Sequence, residues 1–182
     1  MTILRQIVSF FLRLNEFVGQ LLAGLNLVLV LLICGDVALR YAFNATTVAI
    51  IELEWHLFAL IFLLGMGYAY RHDRHVRVDV FYCQFSPRVR AWVNLLGGLL
   101  FLTPFCLVAI YTAYRFAAYS FLFREGSPNP GGLPARYLIK SAITIGFALL
   151  FWQNLLVMAR ALTIIRGKQE AIFENDSPSH QT

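Results

Sequence analysis

The sequence predicts an all-α integral membrane protein, four transmembrane helices in a bundle, and three observations predict it. The first is composition: of 182 residues 59% are hydrophobic and only 14% charged, with a mean hydropathy of +0.65, outside the range of a soluble globular domain. The second is four separate apolar runs of near-bilayer length. A hydrocarbon core about 30 Å thick takes about 20 apolar residues in a helix, and backbone in lipid must satisfy its own hydrogen bonds, which makes each run helical. The third is the placement of charge. The net +5 would suit nucleic acid only as a basic face on a folded surface, whereas here Lys and Arg sit between apolar runs, so the expected partner is the lipid bilayer and not nucleic acid.

The first span is placed at residues 17–39, since Phe17 to Gly35 carries no charge. Arg5 and Arg13 precede it in the manner of a signal peptide, but the apolar run is too long for one and no small-residue cleavage pattern comes before Asp36. The second span is placed at residues 50–70, opening with Glu52, Glu54 and His56 around Trp55. Acids suit the positive end of the helix dipole, and Trp suits the membrane interface. The third is placed at residues 91–114, with a kink predicted at Thr103-Pro104. The fourth is placed at residues 140–160. Before it, "SPNPGGLPARY" holds three prolines and two glycines, which break the chain outside the membrane, and Pro134 suits the first turn of the helix that follows. Residues 1–166 form a single transmembrane domain in this reading, and residues 167–182 a polar, disordered cytoplasmic tail.

Four spans put both termini on one side. Ten of the fifteen Lys and Arg fall on the N-terminus, the segment between spans two and three and the C-terminal flank, which places both ends in the cytoplasm.

Polar residues within or beside spans are the candidates for function. Asp36 and Arg40 stand four apart on one helical face, either as an ion pair or as part of a polar path. Glu52 and Glu54 belong either to ordinary helix-start chemistry or, for Glu54 with Arg40, to a pairing with a partner helix. Asn26, Gln153 and Asn154 are suited to hydrogen bonds between helices. The stretch "YRHDRHVRVDVFY" at residues 70–82 gathers His72, His75, Asp73 and Asp79, but its interleaved arginines repel a cation, so no metal site is expected. Haem ligation needs histidines that converge, and His56 lies at the other end of its helix. Cys34, Cys83 and Cys106 have no paired spacing and read as small apolar residues. No catalytic residue and no cofactor is predicted.

The order of these features resembles the small, DctQ-like membrane subunit of tripartite ATP-independent periplasmic (TRAP) transporters. The residues that carry the resemblance are "RYAFN" after the first span, "ELEW" opening the second, "GMGYAYRHDRHVRVDVF" at its end, "SPRVRAWVNLL" opening the third and "EGSPNPGGLPARYLIK" before the fourth. The run His75, Arg77, Val78, Asp79 is its strongest element. The resemblance implies a multi-pass protein of the bacterial inner membrane with two protein partners. One is a large TRAP membrane subunit bearing the sodium and substrate sites, and the other a periplasmic solute-binding protein delivering an organic acid-type solute. Asp36, Arg40, Glu54, Trp55, His75, Asp79, Ser127, Pro134 and Gln153 are then candidate interface or structural positions. Gly65, Gly67, Gly97 and Gly98 offer close approach to the large subunit, and the loop bearing Glu125, Ser127, Asn129 and Arg136 meets the binding protein. Two rivals remain at this point, a four-helix haem-binding redox anchor and a small dimeric exporter using Glu52 or Glu54.

Overall fold

The computed structural model describes residues 2–72 and 85–167. These contain four long helices and no strand: α1 (Thr2–Phe43), α2 (Val48–Arg71), α3 (Pro87–Leu122) and α4 (Tyr137–Ile165). All four are long and apolar enough to cross a membrane. His75 and Asp79, with the rest of residues 73–84, and the tail from residue 168 lie outside the described residues.

Local chemistry explains where the helices start. Thr47 caps α2 by accepting from the Ile50 amide at 3.4 Å, which satisfies one of the orphan N–H groups of the first turn. Ser86 does the same for α3 from Val89 at 3.4 Å, and Pro87 follows where its missing N–H costs nothing. Pro134 does not take the corresponding place in α4, contrary to expectation. Ala135 adopts φ +62°, a left-handed conformation that a helix cannot include, so α4 begins only at Tyr137.

Inside α3 the predicted disturbance at Pro104 takes the form of a π-helical turn over Gly98–Leu102. Proline has no N–H to bond the carbonyl four residues back, and its ring crowds that carbonyl. Widening the preceding turn resolves both problems, and the Thr103 amide bonds back to the Gly98 carbonyl.

α1 packs along α2, α2 along α4, and α4 along α3. The chain order 1-2-3-4 therefore becomes the spatial order 1-2-4-3, and because successive helices reverse direction along the chain, the neighbours α2 and α4 run parallel. α4 holds the middle: 33% of its apolar stretch is buried, against 6%, 11% and 17% for α2, α1 and α3. Contact between α2 and α4 is made backbone to backbone. A Cβ added at Gly146 would lie 2.5 Å from the Leu63 carbonyl oxygen, so only glycine permits this approach, the usual device of helices that pack in lipid. Gly67 and Gly98 likewise face neighbours within the chain, Leu149 and Asn154, whereas Gly97 borders open space.

Candidate functional site

One end of the array brings together the close of α1, the start of α2, the close of α3 and the start of α4. Here Glu52 stands five residues into α2, beyond the first turn, which holds no acid. The dipole reading of Glu52 is thereby corrected. Its partners come from the side, from the loop at residues 123–136. The helical stripe Glu52, His56, Ala59, Leu63, Gly67 runs along the face of α2 turned toward α4, and Glu52 is 3% exposed.

A buried carboxylate is costly unless its oxygens are met by donors. Ser127 Oγ donates to Glu52 Oε1, Asn129 Nδ2 donates to the same oxygen at 3.3 Å, and the Leu133 amide donates to Oε2 at 2.7 Å. Arg136 Nη2 completes the set at 3.4 Å. The loop is folded to present these groups. Ser127 N bonds Leu133 O at 3.1 Å, Gly132 N bonds Asn129 O at 3.1 Å, and Arg136 N bonds Glu125 O at 3.0 Å. Gly131 takes φ +76°, and a Cβ on Gly132 would lie 2.3 Å from Ser127 Oγ and 2.8 Å from Glu52 Oε2. The two glycines thus let the chain turn and close directly over the carboxylate.

Aromatic rings support the cations beside this lock. The Arg136 guanidinium lies 5.8 Å from the Trp55 ring centroid, and Lys140 Nζ lies 3.9 Å from that of Phe116. Lys140 also donates to Glu125, and that bond holds the Glu125 carboxyl below its ordinary value. An apolar cleft of about 240 Å³ opens between Trp55, Phe116 and Ile139.

The other expected residues are placed as follows. Asp36, 3% exposed, accepts from Arg40 and from Thr46 Oγ1 at 2.9 Å, which ties the short link at residues 44–47 to α1. Arg40 is thus engaged with Asp36 within α1. Glu54 is half-buried, and its Oε1 meets no hydrogen-bond donor among the described residues. His56 and His72 bond backbone carbonyls of their own helix, those of Glu52 and Tyr68, at its opposite ends. Cys106 is buried and Cys34 exposed.

A second polar cluster lies toward the opposite end. Asn154 is fully buried, donating to Gly98 O at 3.2 Å and Thr103 Oγ1 at 3.0 Å while accepting from Tyr70 at 3.3 Å. It thus braces the π turn of α3. Gln153 Oε1 accepts from Asn15 Nδ2 at 3.1 Å, and the same amide donates to Gly67 O at 3.2 Å. Asn26, by contrast, is exposed on α1. Arg71 reaches the Leu12 carbonyl at 2.6 Å and Glu16 at 3.4 Å, fastening α2 to α1.

Of two residues central to these clusters, Asn15 was not among the sequence candidates, and Glu52 was a candidate only for helix-start or exporter chemistry and not for a lock on the loop. Glu52 had a signal: it shares a helical face with Ala59, Leu63 and Gly67, whereas Glu54 falls on another. Asn15 lay outside the expected span and had none.

What this arrangement offers chemically is rigidity. The Glu52 oxygens and the Asn154 amide are taken up by groups of the chain itself, which fixes helices and loop and leaves no activated nucleophile or base in either cluster. No curated protein sequence matches the chain. A family signature described as tripartite ATP-independent periplasmic transporters, DctQ component, matches residues 29–164. That range takes in both clusters except Asn15, and all of the loop locked on Glu52. The match spans most of the chain and runs through all four helices, so this protein belongs to the DctQ component family of TRAP transporters, a family of transporter subunits and not of enzymes.

Proposed function

We propose that the chain serves as a passive scaffold subunit in sodium-coupled uptake of an organic acid-type solute. It packs side-on against a large membrane subunit that carries the ion and substrate sites, and it presents the loop at residues 123–136 to a solute-binding protein. The observation that carries this reading is the Glu52 lock. A loop fixed by four donors on one buried carboxylate is pre-organised, and pre-organisation lowers the entropic cost of docking a partner. In this reading the loop faces the periplasm of a bacterial inner membrane and both termini face the cytoplasm, as the distribution of Lys and Arg supports. Ser127, Asn129 and Arg136 then act by shaping the loop from within, and the partner meets its exposed tip at Pro128, Pro130 and Gly131.

Gentle extraction of the tagged protein tests the assignment. A large membrane subunit is expected to co-purify, and transport in liposomes is expected only when that subunit and the binding protein are supplied. Transport by this chain alone would overturn the proposal. A periplasm-active reporter fused after Gly132 is expected to be active, and its silence would reverse the topology.

A further inference from the structure

The close of α3 carries a feature that locking the loop does not require. The Arg124 amide bonds the Phe121 carbonyl at 3.1 Å and the Glu125 amide bonds the Ser120 carbonyl at 3.0 Å, the paired pattern that ends a helix through one left-handed residue. That residue is Arg124, at φ +47°. At the two other helix ends that carry this conformation among the described residues it goes to residues that accept it readily, while within the loop Ala135 takes it at φ +62°. Gly167 closes α4 at φ +65°, its amide bonding Ile164 O at 3.1 Å, and Asn44 follows α1 at φ +50°. A β-carbon disfavours this conformation, and glycine would serve the backbone better. An outlier of this kind points to a use for the side chain.

The Arg124 side chain is exposed and makes no hydrogen bond, ion pair or ring contact among the described residues. Three acids at this end are already engaged, Asp36 with Arg40 and Thr46, Glu52 with the loop, and Glu125 with Lys140, and Glu54, half-buried in α2, makes no ion pair with Arg124. This end of the protein therefore presents a free guanidinium on a backbone that cannot drift, since the Glu125 carbonyl next to it is held by the Arg136 amide. Arg124 follows directly on the last turn of a helix long and apolar enough to cross a membrane, where a charge is least costly outside the hydrocarbon. A guanidinium fork matches a carboxylate in two parallel hydrogen bonds.

We infer that Arg124 is a docking residue that receives a surface carboxylate of the solute-binding protein. The inference rests on the scaffold reading above. Arg124 would steer encounter and fix register, as charges at an interface rim do.

The test uses the complete membrane complex in nanodiscs of mixed neutral and anionic phospholipid, with the purified binding protein as probe and three variants. Arg124→Gly is expected to melt at the parent temperature or above it, because it relieves the backbone, and to keep the large subunit. Its docking is expected to weaken about five- to tenfold, chiefly through slower association at low salt. Arg124→Lys should recover part of the affinity, and Arg124→Glu should dock more weakly than the glycine variant. Docking that is indifferent to all three changes overturns the inference alone, as does a glycine variant that loses stability together with docking. Indifferent docking with loss of co-purifying anionic phospholipid would assign the guanidinium to a headgroup and overturn it as well. No docking to the parent complex would overturn both this inference and the scaffold reading.

Discussion

The two polar clusters bury similar numbers of hydrogen-bonding groups, yet one is built on a charge and the other on neutral amides. Glu52 lies near the start of α2, within reach of a loop outside the apolar spans. Its donors include a cation, Arg136, and a backbone amide. Asn154 lies toward the other end of the array, beside Tyr70 near the close of α2, and every one of its partners is uncharged and belongs to a helix. The donors within reach explain the difference. Near the interface a carboxylate keeps some of the dielectric benefit of water, and its donors organise a loop. Between helices, with no such loop within reach, a buried ionised group left without a partner costs about 3 kcal/mol, so the job of fastening helices falls to amides, which satisfy both donors and acceptors without charge.

Exchanging the two chemistries is the sharpest way to break this contrast. Asn154→Asp is expected to have the largest effect, about 3 kcal/mol, read as a fall in thermal stability of the purified protein and in its membrane yield. An Asn154→Asp protein as stable as the parent would remove the supply of donors as the explanation. Glu52→Ala comes next: four donors lose their acceptor at once, and proteolysis between residues 128 and 132 should accelerate more than about tenfold while the helices stay assembled. Glu52→Gln, which keeps the shape and loses the charge, should fall between parent and alanine.

Smaller changes sharpen the comparison. Asn154→Leu removes three interhelical bonds at roughly 0.6 kcal/mol each, so a loss of about 1–2 kcal/mol is expected in thermal unfolding, without any change in loop proteolysis. The smallest effect is that of acid on the Glu125–Lys140 pair. The Glu125 carboxyl is held below its ordinary value, near 4.5, by Lys140. Its contribution is therefore complete above that value and is lost as pH falls through the lower folded value. Hydrogen exchange of the Arg136 amide, which bonds the Glu125 carbonyl, should rise only in that acidic window, and Glu125→Gln should abolish the dependence.

The number and order of helices were legible because a bilayer imposes a length on apolar runs, and a run of nearly twenty uncharged residues has few other uses. The Asp36–Arg40 pair was legible because both residues lie on one helix at a fixed spacing. Glu52 was a different case: its donors come from 75 to 84 positions away, and their meeting depends on α4 lying between α2 and α3, which no local pattern specifies. Pro134 was misplaced because the turn around it is set by Ala135 and by closure onto Glu52, not by the start of α4. Gln153 was recognised as polar within a span, but its partner Asn15 sits before the first apolar run, where an asparagine attracts no notice.

The spatial order 1-2-4-3 has a consequence for biosynthesis. A ribosome makes α4 last, although α4 is the neighbour that α2 and α3 share. During translation the first three helices must therefore wait in the bilayer without the helix that α2 and α3 share, and Glu52 must wait with its carboxylate unmet until residues 127–136 have been made. Assembly is thus gated by the final helix, and a chain stalled before Tyr137 would leave the α1–α2 pair and α3 without the element that joins them.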